Sequence, residues 1–569
     1  MRAFRTCGAG SRHRRRSRRL ARVAASVALG VACVVPGTAF GDSALRHGPE
    51  SAIQTHAAKR WFDGHAAPGS EIPAHYVGLS IEWSLVERYM GTNARPTFVN
   101  LLRNLETGVL RIGGSSQDLM EFDPTAPNTN RVITREDLAD IRATLRQASA
   151  GRDKSWAVVL GTAMAPPGEN RPFVSPEHAR RFVREGVAHV FRGHDSRLIA
   201  GIELGNEPDL SYRGDLAGYL ADLSQYAAPE ITGPYPIITP NTSEDILPWQ
   251  SIHERTVPTR WFWDWPQILE AAAPEARRRA GPFGAYASDH FYPLARTCVN
   301  RPYRCPSVEA LLSDEHIASL HYQTYVHAQE AAKHGLGHRL EETNTAAGRG
   351  ADGVSNVAAS ATYALDALFT TACPQPPHLP NANADCRTGA VGVNFHNAEV
   401  RAFWSPEEGN AYYNAINYDP SPAMSAPTAR PVYYAMLLFA AYAQDTRGLR
   451  PVSVSDPTTG VVSASQMVKA WRVLARSGKP RLFLINKGDQ QATVDVAVPA
   501  ARASVSRMTP YDPSGAGRTL DAPKVRIDGR QVAGDGTWLG FHPTTVPIRG
   551  GRLQVDLAPG EAVVISIRS

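Results

Sequence analysis

Eight short β-like runs, most of them separated by helical stretches, dominate the chain between residues 76 and 443. They fall at 76–83 (YVGLSIEW), 108–114 (GVLRIGG), 156–162, 198–205, 236–242, 283–292, 338–344 and 390–396. Helical patterns occupy 135–150, 176–190, 215–230, 308–334 and 357–372. Parallel strands need long crossovers, and helices supply them, so this alternation builds a parallel sheet. Eight units of roughly 45 residues predict a (β/α)8 TIM barrel over 76–445. An open doubly wound sheet is the alternative with the same grammar.

The pattern changes after residue 445. Runs at 468–475, 481–486, 492–498 and 562–567 are β-like, and turn signals such as Lys487-Gly488-Asp489 separate them. An all-β sandwich over 446–569 is expected. The segment 42–75 is available to add a strand to it.

Residues 1–41 read as a signal peptide. Nine Arg lie between Arg2 and Arg22 with no acid among them, followed by an apolar run at 23–35 and a small-x-small site at Ala39-Phe40-Gly41. The run is too short to span a bilayer comfortably, although an uncleaved anchor is the alternative. The formal net charge of +6 comes from 60 basic and 54 acidic residues. Without the leader, 51 basic residues face 54 acidic ones, a net of −3. The basic balance therefore gives no argument for nucleic acid. A secreted or periplasmic protein is expected, with no membrane attachment after cleavage. Beyond the leader the Cys fall into two close pairs, Cys298/Cys305 and Cys373/Cys386. Four Cys allow three pairings, and two local bridges are the simplest. Their spacing fits no common zinc motif, so no metal and no cofactor is expected.

Two short motifs carry chemistry. Gly205-Asn206-Glu207-Pro208 closes the fourth strand, and the C-terminal ends of barrel strands are where active sites form. Glu203 shares strand parity with Glu207 but lies deeper, and reads as structural. Glu341-Glu342-Thr343-Asn344 closes the seventh strand. Side chains alternate along a strand, and pairing Leu340 with Glu342 on one face selects Glu342 for the mouth. Each motif alone has a bland reading, a helix cap for the first and a solvated acidic surface for the second. Two carboxylates ending strands four and seven of one barrel can converge, as a retaining glycosidase requires.

With these motifs in place the chain resembles glycoside hydrolase family 79, the heparanase and β-glucuronidase family, from about residue 76 to the C-terminus. The likeness rests on Gly78-Leu79-Ser80-Ile81-Glu82, on Leu110-Arg111-Ile112-Gly113-Gly114-Ser115-Ser116-Gln117-Asp118 and on Glu203 to Pro208. It continues through Glu342-Thr343-Asn344, Val393-Asn394-Phe395-His396, Pro431-Val432-Tyr433-Tyr434 and Leu484-Ile485-Asn486-Lys487. The resemblance implies that Glu207 is the acid/base and Glu342 the nucleophile. It further implies that Asn206 binds the 2-hydroxyl, that Arg111 and Tyr292 keep Glu342 ionised, and that Tyr292, Glu82 and His396 line the sugar site. Family members often carry Tyr-x-Gly shortly after the nucleophile, where the Tyr and backbone amides hold a uronic carboxylate. Here that stretch is Ala346-Ala347-Gly348-Arg349-Gly350, with Ala347 at the Tyr position. Arg349 is expected to replace that contact with the carboxylate, an exposed loop Arg being the alternative.

Gly348-x-Gly350-x-x-Gly353 matches a dinucleotide fingerprint formally, but no acid lies about twenty residues on, and the motif sits in the seventh unit of eight. The sequence therefore predicts an exported retaining β-glycosidase that acts on a carbohydrate, with a β-glucuronidase or heparanase-like uronidase as the leading reading. A neutral-sugar β-glycosidase is the alternative, and a carbohydrate-binding pseudoenzyme the alternative from another class.

Overall fold

The computed structural model describes residues 60–62, 70–127, 131–166, 168, 171–243, 261–277, 283–299, 301–374, 386, 388–399, 410–418, 426–515, 517 and 519–568. The leader, and most of the segment up to residue 69, lie outside these residues.

The parallel sheet contains β1 (Val77–Glu82), β2 (Val109–Gly113), β3 (Ala157–Thr162) and β4 (Ile199–Leu204). It continues through β5 in two pieces, Ile237–Ile238 and Pro240–Thr242, then β6 (Tyr286–Phe291), β7 (Gly337–Thr343) and β8 (Gly392–Asn397). The first piece of β5 pairs with β4 and the second with β6. Every other neighbour follows in order, β4-β3-β2-β1-β8-β7-β6. The nine-stranded path is thus a ring that closes through one broken strand. Pro240 cannot donate to the ladder, which fits its place at the break.

The surrounding helices explain themselves locally. In α1 (Arg135–Ser149), Thr134 and Asp137 form a reciprocal capping box at the N-terminus. α2 (Asp314–Lys333) runs antiparallel to β7 and is capped by Ser313. α3 (Ala358–Ala372) is buried along its whole length, and α4 (Pro431–Tyr442) is nearly so. Both are mostly apolar and enclosed, and both lie between the barrel and the C-terminal β region. A helix at Trp265–Arg277, with Pro274 inside it, was not anticipated.

The C-terminal region forms an antiparallel sheet of Thr446–Val452, Val468–Ala475, Pro480–Asn486, Ala562–Arg568, Arg502–Tyr511 and Lys524–Ile527. Ser70–Ile72 adds to its edge by pairing with Thr446–Val452. A second sheet of Val461–Ser463, Ala492–Ala497 and Arg552–Leu557 faces it. Leu482, Leu484, Val563 and Ile565 from one sheet meet Val494, Val496, Val555 and Leu557 from the other in one core, so this is a sandwich. Phe369 of α3 packs against Trp471 and Phe483. The buried Lys487 ammonium pairs with Asp366 of α3 at 2.7 Å and with Asp314 of α2 at 3.2 Å. No helix of the described residues is long and apolar enough to cross a membrane.

Both local Cys pairs are bridged, Cys298–Cys305 and Cys373–Cys386. In the entropic model, loops of this size stabilise by about 2–3 kcal/mol each. Non-reduced peptide mapping of protein produced in an oxidising compartment is expected to recover both bridged pairs. Four free thiols would contradict the pairing.

Candidate active site

The barrel interior is built in layers. Its floor is apolar, with Val109, Ala157, Val159, Ala200, Ile238 and Tyr286 in one cluster. Above it lies a buried ionic layer. Arg339 donates to Asn394 at 2.8 Å, and the Tyr286 hydroxyl donates to Glu341 at 2.9 Å. Burial and the nearby Glu203 push Glu341 up to about 8. Arg111 sits at the top of this layer, fully buried.

Arg111 grips Glu203 bidentately at 2.8 and 2.6 Å. It also donates to Asn206 Oδ1 at 2.7 Å, Ser80 Oγ at 3.1 Å and Glu342 Oε2 at 2.5 Å. A planar fork of five donors suits such a hub, and a lysine could not reproduce it. Because the Asn206 oxygen is taken by Arg111, its amide NH2 is left to donate elsewhere.

Glu207 reaches the mouth through a strained turn. Gly205 has φ +72°, and a Cβ there would lie 2.4 Å from the Met164 carbonyl oxygen. Glu207 itself is left-handed, with φ 47° and ψ 58°, and Pro208 then starts the helix Pro208–Ser211. Non-glycine residues in this conformation gather at functional sites. Glu207 occupies the N-cap position, but its side chain makes no capping bond. Its Oε1 lies 3.0 Å from His290 Nδ1.

Glu342 faces it from β7, for a reason other than simple alternation. The ladders of β7 with β6 and with β8 both shift register around residues 341–342. Leu340 packs in the apolar cluster outside the barrel, while Glu341 and Glu342 both turn inward. The alternation that paired Leu340 with Glu342 on one face is therefore overturned by a β-bulge, which re-aims one side chain. Tyr292 donates to Glu342 Oε1 at 2.7 Å. His396 Nδ1 lies 3.6 Å and His290 Nδ1 3.9 Å from Glu342 Oε2. Burial alone would raise this carboxyl's pKa, but His396, His290, Arg111 and the Tyr292 hydroxyl hold it well below the usual carboxylate range. Oxygens of Glu207 and Glu342 and the His290 nitrogen between them all lie within 4.8 Å of one another.

The other expected residues distribute as follows. His396 stands at the mouth, its Nδ1 2.8 Å from Ser80 Oγ and its Nε2 3.4 Å from Glu82 Oε1. Glu82 is there too, but it accepts from the Ser115 and Ser116 amides and the Ser116 hydroxyl. It thereby caps the short helix Ser115–Asp118. Arg349 is buried in the loop after β7 with φ 70°. Its charge acts on Tyr413, which stacks on Tyr292 with centroids 6.0 Å apart. Arg296 pins this loop by donating to the Gly350 and Arg349 carbonyls. The Gly350 amide is already bonded to Ala346 O at 3.0 Å.

Three residues were missed from sequence. His290 touches both carboxylates. Burial lowers its pKa, but Glu342 and Glu207 outweigh this and raise it. Tyr413 adds a second phenol beside Tyr292. Asp118 accepts from the Met164 and Asn206 amides at 3.2 Å each, and burial pushes it up to about 7. Only Asp118 stood within a quoted motif, and none had a spacing signal of its own.

Two groups are close enough to consider as metal ligands among the described residues: Glu207 with His290 and Glu342, and Asp289 with His327 and His338. In the second, the imidazoles sit 2.6 and 2.8 Å from the two Asp289 oxygens. Gln323 adds a third donor at 2.8 Å. The carboxylate is thus saturated by hydrogen bonds, and the group is a buried clamp on the outer face of β6. A cavity of about 550 Å³ adjoins Asn206 and Glu207 between the loops that follow β2, β3 and β4.

No family model matches the sequence, and no curated protein resembles it. Solved structures do. A 4-O-α-L-rhamnosyl-β-D-glucuronidase from Fusarium oxysporum 12S superposes with a TM-score of 0.58 at 16% identity, covering 88% of this chain and 97% of that one. A family 51 arabinofuranosidase from Xanthomonas axonopodis pv. citri gives 0.54 at 13%, over 88% and 98%. A monomeric β-xylosidase from Caulobacter crescentus CB15 gives 0.51 at 13%, over 88% and 97%. The chain shares their fold, a barrel of the glycosidase type with an added β region.

Proposed function

We propose that this chain is an exported retaining β-glycosidase, and that its substrate is a β-linked uronic acid, as in the heparanase and β-glucuronidase family 79. The observation that carries the reading is the approach of Glu207 and Glu342 to within 4.8 Å across the mouth. Retaining enzymes need carboxyls about 5–5.5 Å apart, whereas inverting ones leave room for water between them.

In this reading the sugar to be released sits against Glu342. Kept ionised, Glu342 attacks the anomeric carbon while Glu207 passes its proton to the departing oxygen. The C–O bond to the leaving group breaks as the bond to Glu342 forms. Glu207, now a carboxylate, takes a proton from water, and that water displaces Glu342 with a second inversion. Arg111 and Tyr292 stabilise the nucleophile's charge, and the Asn206 amide holds the 2-hydroxyl. His290 donates to one Glu207 oxygen and leaves the other for the glycosidic oxygen. Export fits the two disulfides, which persist in oxidising compartments.

Uronate preference rests on Arg349, buried near Tyr413 in the loop after the nucleophile. Ala347 and the occupied Gly350 amide favour the neutral-sugar reading, since the usual phenol and one amide are missing as carboxylate donors. A panel of nitrophenyl glycosides decides. The glucuronide is expected to be the best substrate; a panel in which only neutral glycosides turn over would select the second reading. Losing one partner of a buried charge pair costs about 2–5 kcal/mol. Arg349→Ala should therefore shrink the glucuronide-to-glucoside ratio of kcat/KM about a hundredfold. An unchanged ratio would remove Arg349 from the carboxylate site.

A further inference from the structure

Tyr292, which bonds the nucleophile, stands one residue past the end of β6, and Pro293 follows it. Proline has no amide hydrogen, so the chain beyond the phenol cannot be tied down by a donor at that position. It is tied by its carbonyls instead. The Arg304 guanidinium donates to Tyr292 O and to Leu294 O, both at 3.1 Å. Arg304 is 5% exposed, and bond cleavage as described makes no use of it. Burying a guanidinium this deeply is costly unless hydrogen bonds meet it, and two of those bonds bracket Pro293.

Arg304 is itself held in place. It ends the short helical turn Pro302–Arg304, and the Cys298–Cys305 bridge closes the loop around that turn. His316 of α2 has its Nε2 2.9 Å from the neighbouring Tyr303 carbonyl. Downstream of the phenol, Leu294–Ala295 pairs with Ala346–Ala347 in the loop after β7, and the Arg296 amide donates to Ala347 O at 2.9 Å. The segment that carries the phenol is thus anchored by β6 before it and by this pairing after it, with Arg304 gripping its middle.

We propose that Arg304 is a positioning residue for the reaction: through the Tyr292 and Leu294 carbonyls it sets the phenol against Glu342, and the Cys298–Cys305 bridge keeps Arg304 where it can do so. The inference rests on the glycosidase reading above and extends its machinery to the loop between β6 and α2. The Tyr292 hydroxyl donates to Glu342 Oε1 at 2.7 Å, and a hydrogen bond weakens steeply when its geometry is spoiled. Without Arg304 the turn at Pro293 shifts, and the phenol shifts with it. Glu342 then loses a donor that orients it for attack and that stabilises its charge when the glycosyl-enzyme opens. The loss falls on kcat rather than on KM, since it acts through the nucleophile.

The test is a double-mutant cycle on the full chain, with the nitrophenyl glycoside that the wild type hydrolyses fastest. Arg304→Met removes the donors and keeps most of the bulk. It should lose about tenfold in kcat with KM not raised, as expected when a hydrogen bond to a charged group is weakened. In the Tyr292→Phe background the same substitution should cost almost nothing more, because residues that act as one unit are not additive. Arg304→Lys, which keeps a donor, should retain part of the lost kcat, and it replaces Arg304→Met in the cycle if circular dichroism shows that Arg304→Met does not fold. Cys298→Ser with Cys305→Ser should lower kcat in the same background-dependent way, and full kcat there would overturn the bridge's share. Losses that add across the cycle, a change in KM alone, or an unchanged kcat overturn the positioning role and leave the glycosidase reading standing. A wild type that hydrolyses none of the nitrophenyl glycosides overturns both.

Discussion

Glu342→Gln is expected to lose at least three orders of magnitude in kcat, about 4 kcal/mol or more of transition-state stabilisation. The side chain keeps its shape, and the amide oxygen still accepts from Tyr292 or Arg111. What disappears is the carboxylate proposed as the nucleophile. Steady-state turnover of an activated aryl glycoside measures the loss, and circular dichroism checks that the fold survives. Turnover near the wild-type level would exclude Glu342 as the attacking group. The neighbouring Glu341→Gln is the control for chemistry. Glu341 lies lower and is bonded to Tyr286, and burial with the nearby Glu203 raises its pKa.

Arg111→Met is expected to produce the largest effect on stability. Arg111 bonds Glu203 and Glu342 at once, and Glu203 is fully buried. Removing the cation leaves buried Glu203 without its partner and takes one of several positive groups from Glu342, and breaking such a buried pair costs about 3–5 kcal/mol. In the wild type the folded pKa of Glu342 is depressed, so its contribution is present above the unfolded pKa and is lost as pH falls through the folded one. His396 and His290 still act on Glu342 when Arg111 is gone, so the depression shrinks without reversing its sign. Denaturant titrations should therefore show a full deficit at neutral pH that shrinks only below about pH 4, under the unfolded carboxyl pKa. A deficit independent of pH would mean that Arg111 acts by packing alone.

Much of the barrel is written in local pattern. Buried parallel strands such as β2 and β3 are short apolar runs, and their limits follow the sequence to within a residue or two. What escaped was set by tertiary context. The helix Trp265–Arg277 carries a proline, which argues against a helix when read locally. β5 looks like one strand and is two, because Pro240 breaks the ladder where the ring closes. Several strands of the sandwich, Arg502–Tyr511 among them, are defined by their partners more than by their own alternation.

The two carboxylates were legible because each ends a barrel strand, yet the argument from alternation that selected Glu342 does not hold. A bulge turns both Glu341 and Glu342 inward, and no local signal marks it. His290 was invisible for a related reason. Between Asp289 and Phe291 it reads as one more residue of a buried strand, and only the clamp of His327, His338 and Gln323 on Asp289 shows how firmly that strand is held. Glu82 illustrates the reverse case. It stands at the mouth as expected, but most of its hydrogen-bonding capacity is spent on the Ser115–Ser116 turn.

The stereochemistry of the first-formed product tests the central claim most directly. Proton NMR of the reaction in its first minutes, before mutarotation, resolves the anomeric signal of the released sugar. With Glu207 and Glu342 oxygens within 4.8 Å of each other, the pair has the close spacing of a retaining enzyme, and double displacement is expected. A β-glycoside should then release the β-anomer first, with the α-anomer growing in slowly. Release of the α-anomer first would contradict the covalent mechanism and the assignment of Glu342 as its nucleophile.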